Sequence, residues 1–328
     1  MDCAAGRGGV LSRAWIYSTM STNYNFQPAT PKEIAFIKKR LGLTEEDTEF
    51  AVKKLREWLE MQPHLPNNID DARIERMYIN CKCSMERTKI GLDAYFSLKH
   101  RMPDLSMKRD PLGPDVEQTK NNIKMMVMPR LTKEGYRIII NTQLDPDPSS
   151  YVFATHAKMV LMELEIMMGE DYSLGDVYVI DLANATMGHV LRTDINCLRN
   201  SELLSRTAYC RRIKGVHFVN SPKTIDAVVK LVKSATSEKL HTRIHTHLPG
   251  STTLFEHVAR EYIPEELGGT AGPLEKFSYQ LFNKAYDMRD WFLEQDNYIS
   301  DETKRPPDSK LAQDIYGAAG SFKKLSVD

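Results

Sequence analysis

The sequence predicts an α/β fold preceded by a small helical bundle, and three observations carry that prediction. From residue 31 to about 102 the apolar residues recur at helical spacing, with no strand-like run among them. A stretch rich in proline, glycine and charge follows, RDPLGPDVEQ at residues 109–118, which reads as a linker. Beyond it the short β-rich runs YRIIIN (136–141), DVYVIDL (176–182) and IKGVHFV (213–219) alternate with helical stretches at 153–168 and 195–209. Strands alternating with helices build a largely parallel sheet covered by helices.

In the first part, Thr44 followed by Asp47 marks a helix start, and Ala51, Leu55, Trp58 and Leu59 then form one apolar stripe. Ser84 opens another helix, with Met85, Leu92, Tyr95 and Phe96, before Pro103 ends it. These one-sided segments must pack on each other as a bundle. In the second part, residues 220–235, NSPKTIDAVVKLVKSA, place a capping Ser221 and a first-turn Pro222 ahead of Ile225, Val228, Val229 and Val232. That amphipathic helix either packs on the core or covers an apolar cavity.

The 328 residues carry 44 Lys+Arg against 44 Asp+Glu, so no global field argues for a nucleic-acid partner. With 41% hydrophobic and 27% charged residues the chain is globular rather than disordered or fibrous. Its five cysteines form no disulfide-like framework, which points to a reducing compartment. The first twenty residues lack a secretory apolar core, and no apolar run approaches the roughly 20 residues that span a bilayer. A cytoplasmic protein is expected.

Catalytic motifs are missing. There is no GxGxxG after a strand, no GxxxxGK[ST] and no GxSxG. Asp181 ends a strand but lacks the second acidic residue of aspartyl-phosphate enzymes, so it reads as a hydrogen-bonded strand-end residue. Cys81-Lys82-Cys83 has too few ligands for zinc and reads as helix-end packing. No catalytic residue, metal or cofactor is assigned, and the chain is not expected to be an enzyme.

Residues 237–250, SEKLHTRIHTHLPG, are the densest polar cluster. His245 and His247 share one face of a short strand and can in principle ligate a metal, but no acidic neighbour completes a site, and packed histidines are the simpler reading. Lys239 and Arg243 fall on one side whether the segment is helix or strand. They form either a two-cation clamp or a solvated basic edge.

In this order, VYVIDL, IKGVHFVNSP, EKLHTRIHTHL and YIPEELGG resemble the CRAL-TRIO family of hydrophobic-ligand carriers, over residues 44–277. The resemblance implies an extension at 1–30, a helical CRAL-TRIO-N domain at 31–108, a lipid-binding domain at 119–277, and a C-terminal helix with a surface-lying tail at 278–328. It implies a sheet flooring an apolar pocket, with the helix from Pro222 as lid. Comparison with tocopherol carriers puts Thr155, Met159, Met162, Ile180, Leu204 and Ile213 around the ligand, with Thr193 and Ser201 able to orient a ligand hydroxyl or carbonyl. Ile225, Val228, Val229 and Val232 fall on the lid.

The same comparison assigns a phosphoinositide-headgroup cleft to Arg212, Lys239 and Arg243, with Lys214 beside them. One departure is that the arginine supplied by the N-terminal domain is Ile90 here, next to Lys89. The implied function is binding and transfer of a tocopherol-, retinoid- or carotenoid-like ligand, with release at phosphoinositide-containing membranes that the protein visits transiently. The alternative is a lipid-loaded sensor or scaffold, or a phospholipid or phosphoinositide exchange protein.

Overall fold

The computed structural model describes residues 26–307, Thr224 excepted; most of the expected N-terminal extension and the tail from 308 onward lie outside the described residues. Helices α1 (Pro31–Leu41), α2 (Glu45–Glu60), α3 (Asp71–Asn80) and α4 (Met85–Arg101) come first. Their starts are written locally. Thr30 with Glu33, and Thr44 with Asp47, form capping boxes, while Asp70 and Ser84 accept from the amides of Arg73 and Arg87.

The 109–118 stretch is packed, contrary to a loose linker. Arg109 is fully buried, and the chain turns helical again in α5 (Pro114–Asn122). Then follow β1 (Ile123–Val127), β2 (Arg137–Gln143), α6 (Phe153–Glu170), β3 (Asp176–Asp181), α7 (Ile195–Leu203), β4 (Ile213–Val219), α8 (Ile225–Ala235), α9 (Glu238–His241), β5 (Ile244–Thr246) and α10 (Gln280–Asp287). The five strands lie in the order β1-β2-β3-β4-β5. Only the β1–β2 pair is antiparallel.

Alternation along the strands divides the sheet into two faces. Val177, Val179 and Val219 face a core closed by Leu254, Val258, Tyr262, Ile263 and Phe277 of the wrapping segment. Within that segment Gly269 is a necessity, because a Cβ there would lie 1.9 Å from the Ile263 carbonyl oxygen. The opposite face carries Tyr178, Ile180, Val216 and Phe218, and shares one core with the helical bundle.

A buried polar cluster pins the bundle to the sheet domain. Glu165 of α6 accepts from Arg109 at 2.8 Å and from the Tyr209 and Tyr95 hydroxyls at 3.0 Å, and its carbonyl accepts from Arg73 at 3.1 Å. The cations hold the Glu165 carboxyl below its usual range against the opposing effect of burial. The C-terminal stretch also docks on the bundle. Arg305 reaches Asp93 at 2.8 Å with its side chain buried, which anchors the half-buried to exposed stretch 301–307 to the bundle.

Candidate functional site: an apolar cavity with a basic rim

A cavity of about 940 Å³ opens over the apolar sheet face. Tyr178, Ile180, Val216 and Phe218 floor it, one face of α6 walls it, and Val228, Leu231 and Val232 of α8 cover it. The covering residues are spaced at i, i+3 and i+4, the stripe an amphipathic helix presents to one side. Ile225 and Val229 are not on the wall; they pack, half-buried, against the neighbouring core. Regular helix is described from Ile225, and the buried Ser221 hydroxyl donates to the Phe218 carbonyl at 2.9 Å.

Ile180, Thr193, Ser201 and Ile213 lie on the cavity wall. Thr155, Met159, Met162 and Leu204 do not, and the reason is helical phase. The cavity face of α6 is Phe153, His156, Ala157 and Val160; Met159 and Met162 point instead toward Val116 and Leu281. A shift of one residue turns a side chain by about 100°, so a gapless comparison off by one position names the wrong face. Leu204 begins a π-helical turn, Leu204–Ala208, and is fully buried while Ser205, Arg206 and Thr207 border the cavity.

Polar atoms on the wall divide into satisfied and unsatisfied. Thr193 donates to the His189 carbonyl and Ser201 to the Leu198 carbonyl, both at 2.9 Å, so each hydroxyl can only accept from a ligand. Asn141, Thr142 and His156 border the cavity, and Asn141 Oδ1, Thr142 Oγ1 and His156 Nε2 are buried with no hydrogen-bond partner among the described residues. Burial pushes His156 down to about 4, which keeps its ring neutral. Sequence reasoning singled out none of these three.

The rim is basic. Arg212, Lys214, Lys239 and Arg243 all border the cavity, joined by Lys82 and Arg87 from the bundle. Burial, then the neighbouring charges of Arg212, Arg243, Lys82 and Lys239, hold the Lys214 ammonium below its ordinary range. Such a cluster of like charges favours an anion. Ile90 is on the rim as well, and Lys89 is tied to Glu86 at 2.8 Å; Arg87, one turn before Ile90, joins Lys82 in bringing cations from the bundle. The signal was available in the sequence, since residues i and i−3 share a helix face.

His245 and His247 belong to the other side of the sheet. His217 lies 3.0 Å from His247, Nδ1 to Nε2, and stacks on His245 with ring centroids 4.9 Å apart, while His257 tilts over both. Burial and mutual repulsion push His217 down to about 3 and lower His245 and His247 too. They are neutral packed rings at pH 7. Among the described residues no group of three or more His, Cys, Asp or Glu side chains is arranged to hold a metal ion. Nor is any described helix long and apolar enough to cross a membrane.

Residues 121–269 match the family model of the CRAL/TRIO domain, and residues 44–116 match that of a Pinta-like UBA domain. The chain is 24% identical over 234 residues to the α-tocopherol transfer protein-like protein of Mus musculus, covering 70% of this chain and 67% of that one. It is 26% identical over 203 residues to clavesin-2 of Homo sapiens, covering 61% and 58%. The match thus spans about three fifths to two thirds of these relatives' length. The crystal structure of Sfh5 aligns over 76% of this chain and 99% of its own, at 14% identity and a TM-score of 0.45. The match of residues 121–269 shows that the chain carries a CRAL/TRIO domain, and the cavity on the mostly parallel sheet lies largely within it.

Proposed function

We propose that the protein binds one small hydrophobic ligand of the tocopherol, retinoid or carotenoid class and hands it over at phosphoinositide-containing membranes, acting from the cytoplasm. The observation that carries this reading is continuity: one cavity is bordered both by the apolar stripe of α8 and by the cations Arg212, Lys214, Lys239 and Arg243. Its volume of about 940 Å³ sits near the top of the ~300–1,000 Å³ range of small-ligand sites. A wall that is mainly apolar, with polar and cationic side chains among its lining, suits a ligand with a long hydrocarbon body and one oxygen-bearing head.

The energetics require a release signal. A ligand burying about 20 apolar carbons gains on the order of 16 kcal/mol on leaving water, yet a bilayer offers nearly the same gain. Net transfer therefore turns on small differences in fit and on the work of moving α8. An anionic headgroup bound at the rim shifts the equilibrium toward an open form only by its differential affinity for that form. Arg212, short of partners inside the protein, supplies such a difference if opening of α8 improves its access to the headgroup.

The experiment that tests the cargo is mass spectrometry of the organic extract from purified protein after incubation with a total cell lipid extract. One dominant isoprenoid or tocol near a one-to-one ratio supports the reading. A phospholipid in its place, or no enrichment, replaces it with lipid exchange or with a sensor role.

A further inference from the structure

Cys81 caps the C-terminal end of α3, and Cys210 stands just before β4, so one belongs to the bundle and the other to the sheet domain. The two thiols lie within interaction range of each other, Cys210 Sγ donates to the Thr207 carbonyl at 3.5 Å, and both residues border the cavity while being otherwise buried. Cys210 is held at φ +52°, and Lys82 and Cys83, which follow Cys81, at +55° and +60°. Three non-glycine residues in left-handed backbone around one thiol pair is strain concentrated at a contact. The sequence also leaves room for that contact, since a Cβ at Gly91 of α4 would lie 2.5 Å from Cys210 Sγ.

We propose that Cys81 and Cys210 form a hydroperoxide-reactive dithiol on the cavity wall, with Cys81 as the attacking thiolate and Cys210 as the resolving thiol. Interaction with the Cys210 thiol lowers the Cys81 thiol from its ordinary range, and Arg212 and Arg87 add to this against burial. Its neighbours lack that help. Burial raises Cys83 and brings Cys197 up to about 11, and interaction with Cys81 together with burial raises Cys210 itself. A lowered thiol beside a second cysteine on a basic cavity wall is an environment that makes a cysteine redox-reactive.

The step balances. Cys81 Sγ attacks one oxygen of a hydroperoxide, the O–O bond breaks, and the departing oxygen takes a proton to leave as water or an alcohol, giving Cys81 sulfenic acid. Cys210 Sγ then attacks Cys81 Sγ, expels the hydroxyl as water and closes the disulfide. Two thiols are oxidised by two electrons and one hydroperoxide is reduced; a glutathione-class thiol reverses the disulfide by exchange. Because the bond joins the end of α3 to the approach of β4, oxidation locks the bundle against the cavity rim.

The test treats the reduced full-length protein at pH 7 with hydrogen peroxide or with cumene hydroperoxide, followed by alkylation and tryptic peptide mapping. Trypsin cuts after Lys82, which separates Cys81 from Cys83. The expected product joins the Cys81 and Cys210 peptides, the intact mass falling by the two hydrogens lost. With Cys210→Ser the expected product is a dimedone-trapped sulfenic acid on Cys81, and with Cys81→Ser neither forms. A several-fold faster reaction with cumene hydroperoxide identifies a lipid-soluble oxidant and the reverse an aqueous one. Oxidation confined to Cys83 or Cys197, or no bond between Cys81 and Cys210 in the folded wild type, overturns the proposal; this wild-type mapping decides even if a serine variant fails to fold.

Discussion

Arg211 and its neighbour Arg212 face the same acidic residue with opposite outcomes. Arg211 donates from Nε to Asp176 at 2.7 Å and closes a second bond to the same carboxylate, which leaves Arg212 Nε and Nη2 without partners among the described residues. Burial holds the Arg212 guanidinium below its ordinary range, with Arg211 adding repulsion against the pull of Asp176. A cation in that position is short of counter-charge, and it stands on the rim of the cavity.

Arg212→Ala should therefore weaken binding to vesicles containing a phosphorylated phosphoinositide. One charge-assisted contact is worth about 1.5–3 kcal/mol, roughly a 10- to 100-fold loss. Vesicle flotation at fixed salt measures it. Unchanged binding removes Arg212 from the headgroup site.

Val228→Asp should reduce affinity for a fluorescent tocopherol or retinoid analogue by about tenfold or more, because a carboxylate would border an apolar wall. Leu248→Asp changes a residue that is already exposed and off the wall, and should leave affinity unaltered. Fluorescence titration of the two variants distinguishes a lid from an ordinary surface helix.

Glu165→Ala should cost about 3–5 kcal/mol of stability, since it leaves Arg109 buried without its carboxylate. Urea unfolding measures the loss. A change within about 0.5 kcal/mol would show that the cluster adds nothing at the junction between bundle and sheet domain.

Glu163 supplies a pH test. Burial, with Asp176 nearby, pushes its carboxyl up to about 8, and neither oxygen has a hydrogen-bond partner among the described residues. The folded protein then binds more protons than the unfolded chain between about pH 4.5 and 8, so this group's stability is full below that window and falls as pH rises through it. The slope is about 1.4 kcal/mol per pH unit. Glu163→Gln should match the wild type near pH 4.5 and exceed it near pH 8 in thermal melts. An equal difference at both pH values would contradict the assignment.

Much of the fold is legible because its signals are local. Thr44 and Asp47 form the capping box their spacing announces, and the 213–219 run is β4 residue for residue. β1 was missed because IKMMV lacks the alternation that marks a half-buried strand; four of its five residues are buried. Arg109 reads as part of a linker since nothing near it in sequence reveals Glu165, its partner in space.

The site was legible by element and less so by residue. Lys239 and Arg243 could be named from their spacing and Arg212 and Lys214 from the family resemblance, and all four border the cavity. Met159 and Met162 could not be separated from Val160 without the rotation of α6 about its axis, which only packing fixes. Cys81 and Cys210 meet across two parts of the chain, so CKC alone reads as a helix end.

The most direct test of the central claim is the rate at which a fluorescent tocopherol or retinoid analogue moves from the protein to acceptor vesicles with and without a phosphorylated phosphoinositide. The account predicts that the phosphoinositide accelerates transfer by the wild type and not by the Lys239→Ala, Arg243→Ala double variant, whose ligand affinity stays within about twofold of wild type, a difference of about 0.4 kcal/mol. Acceleration of equal size in both proteins, or none in either, would contradict it.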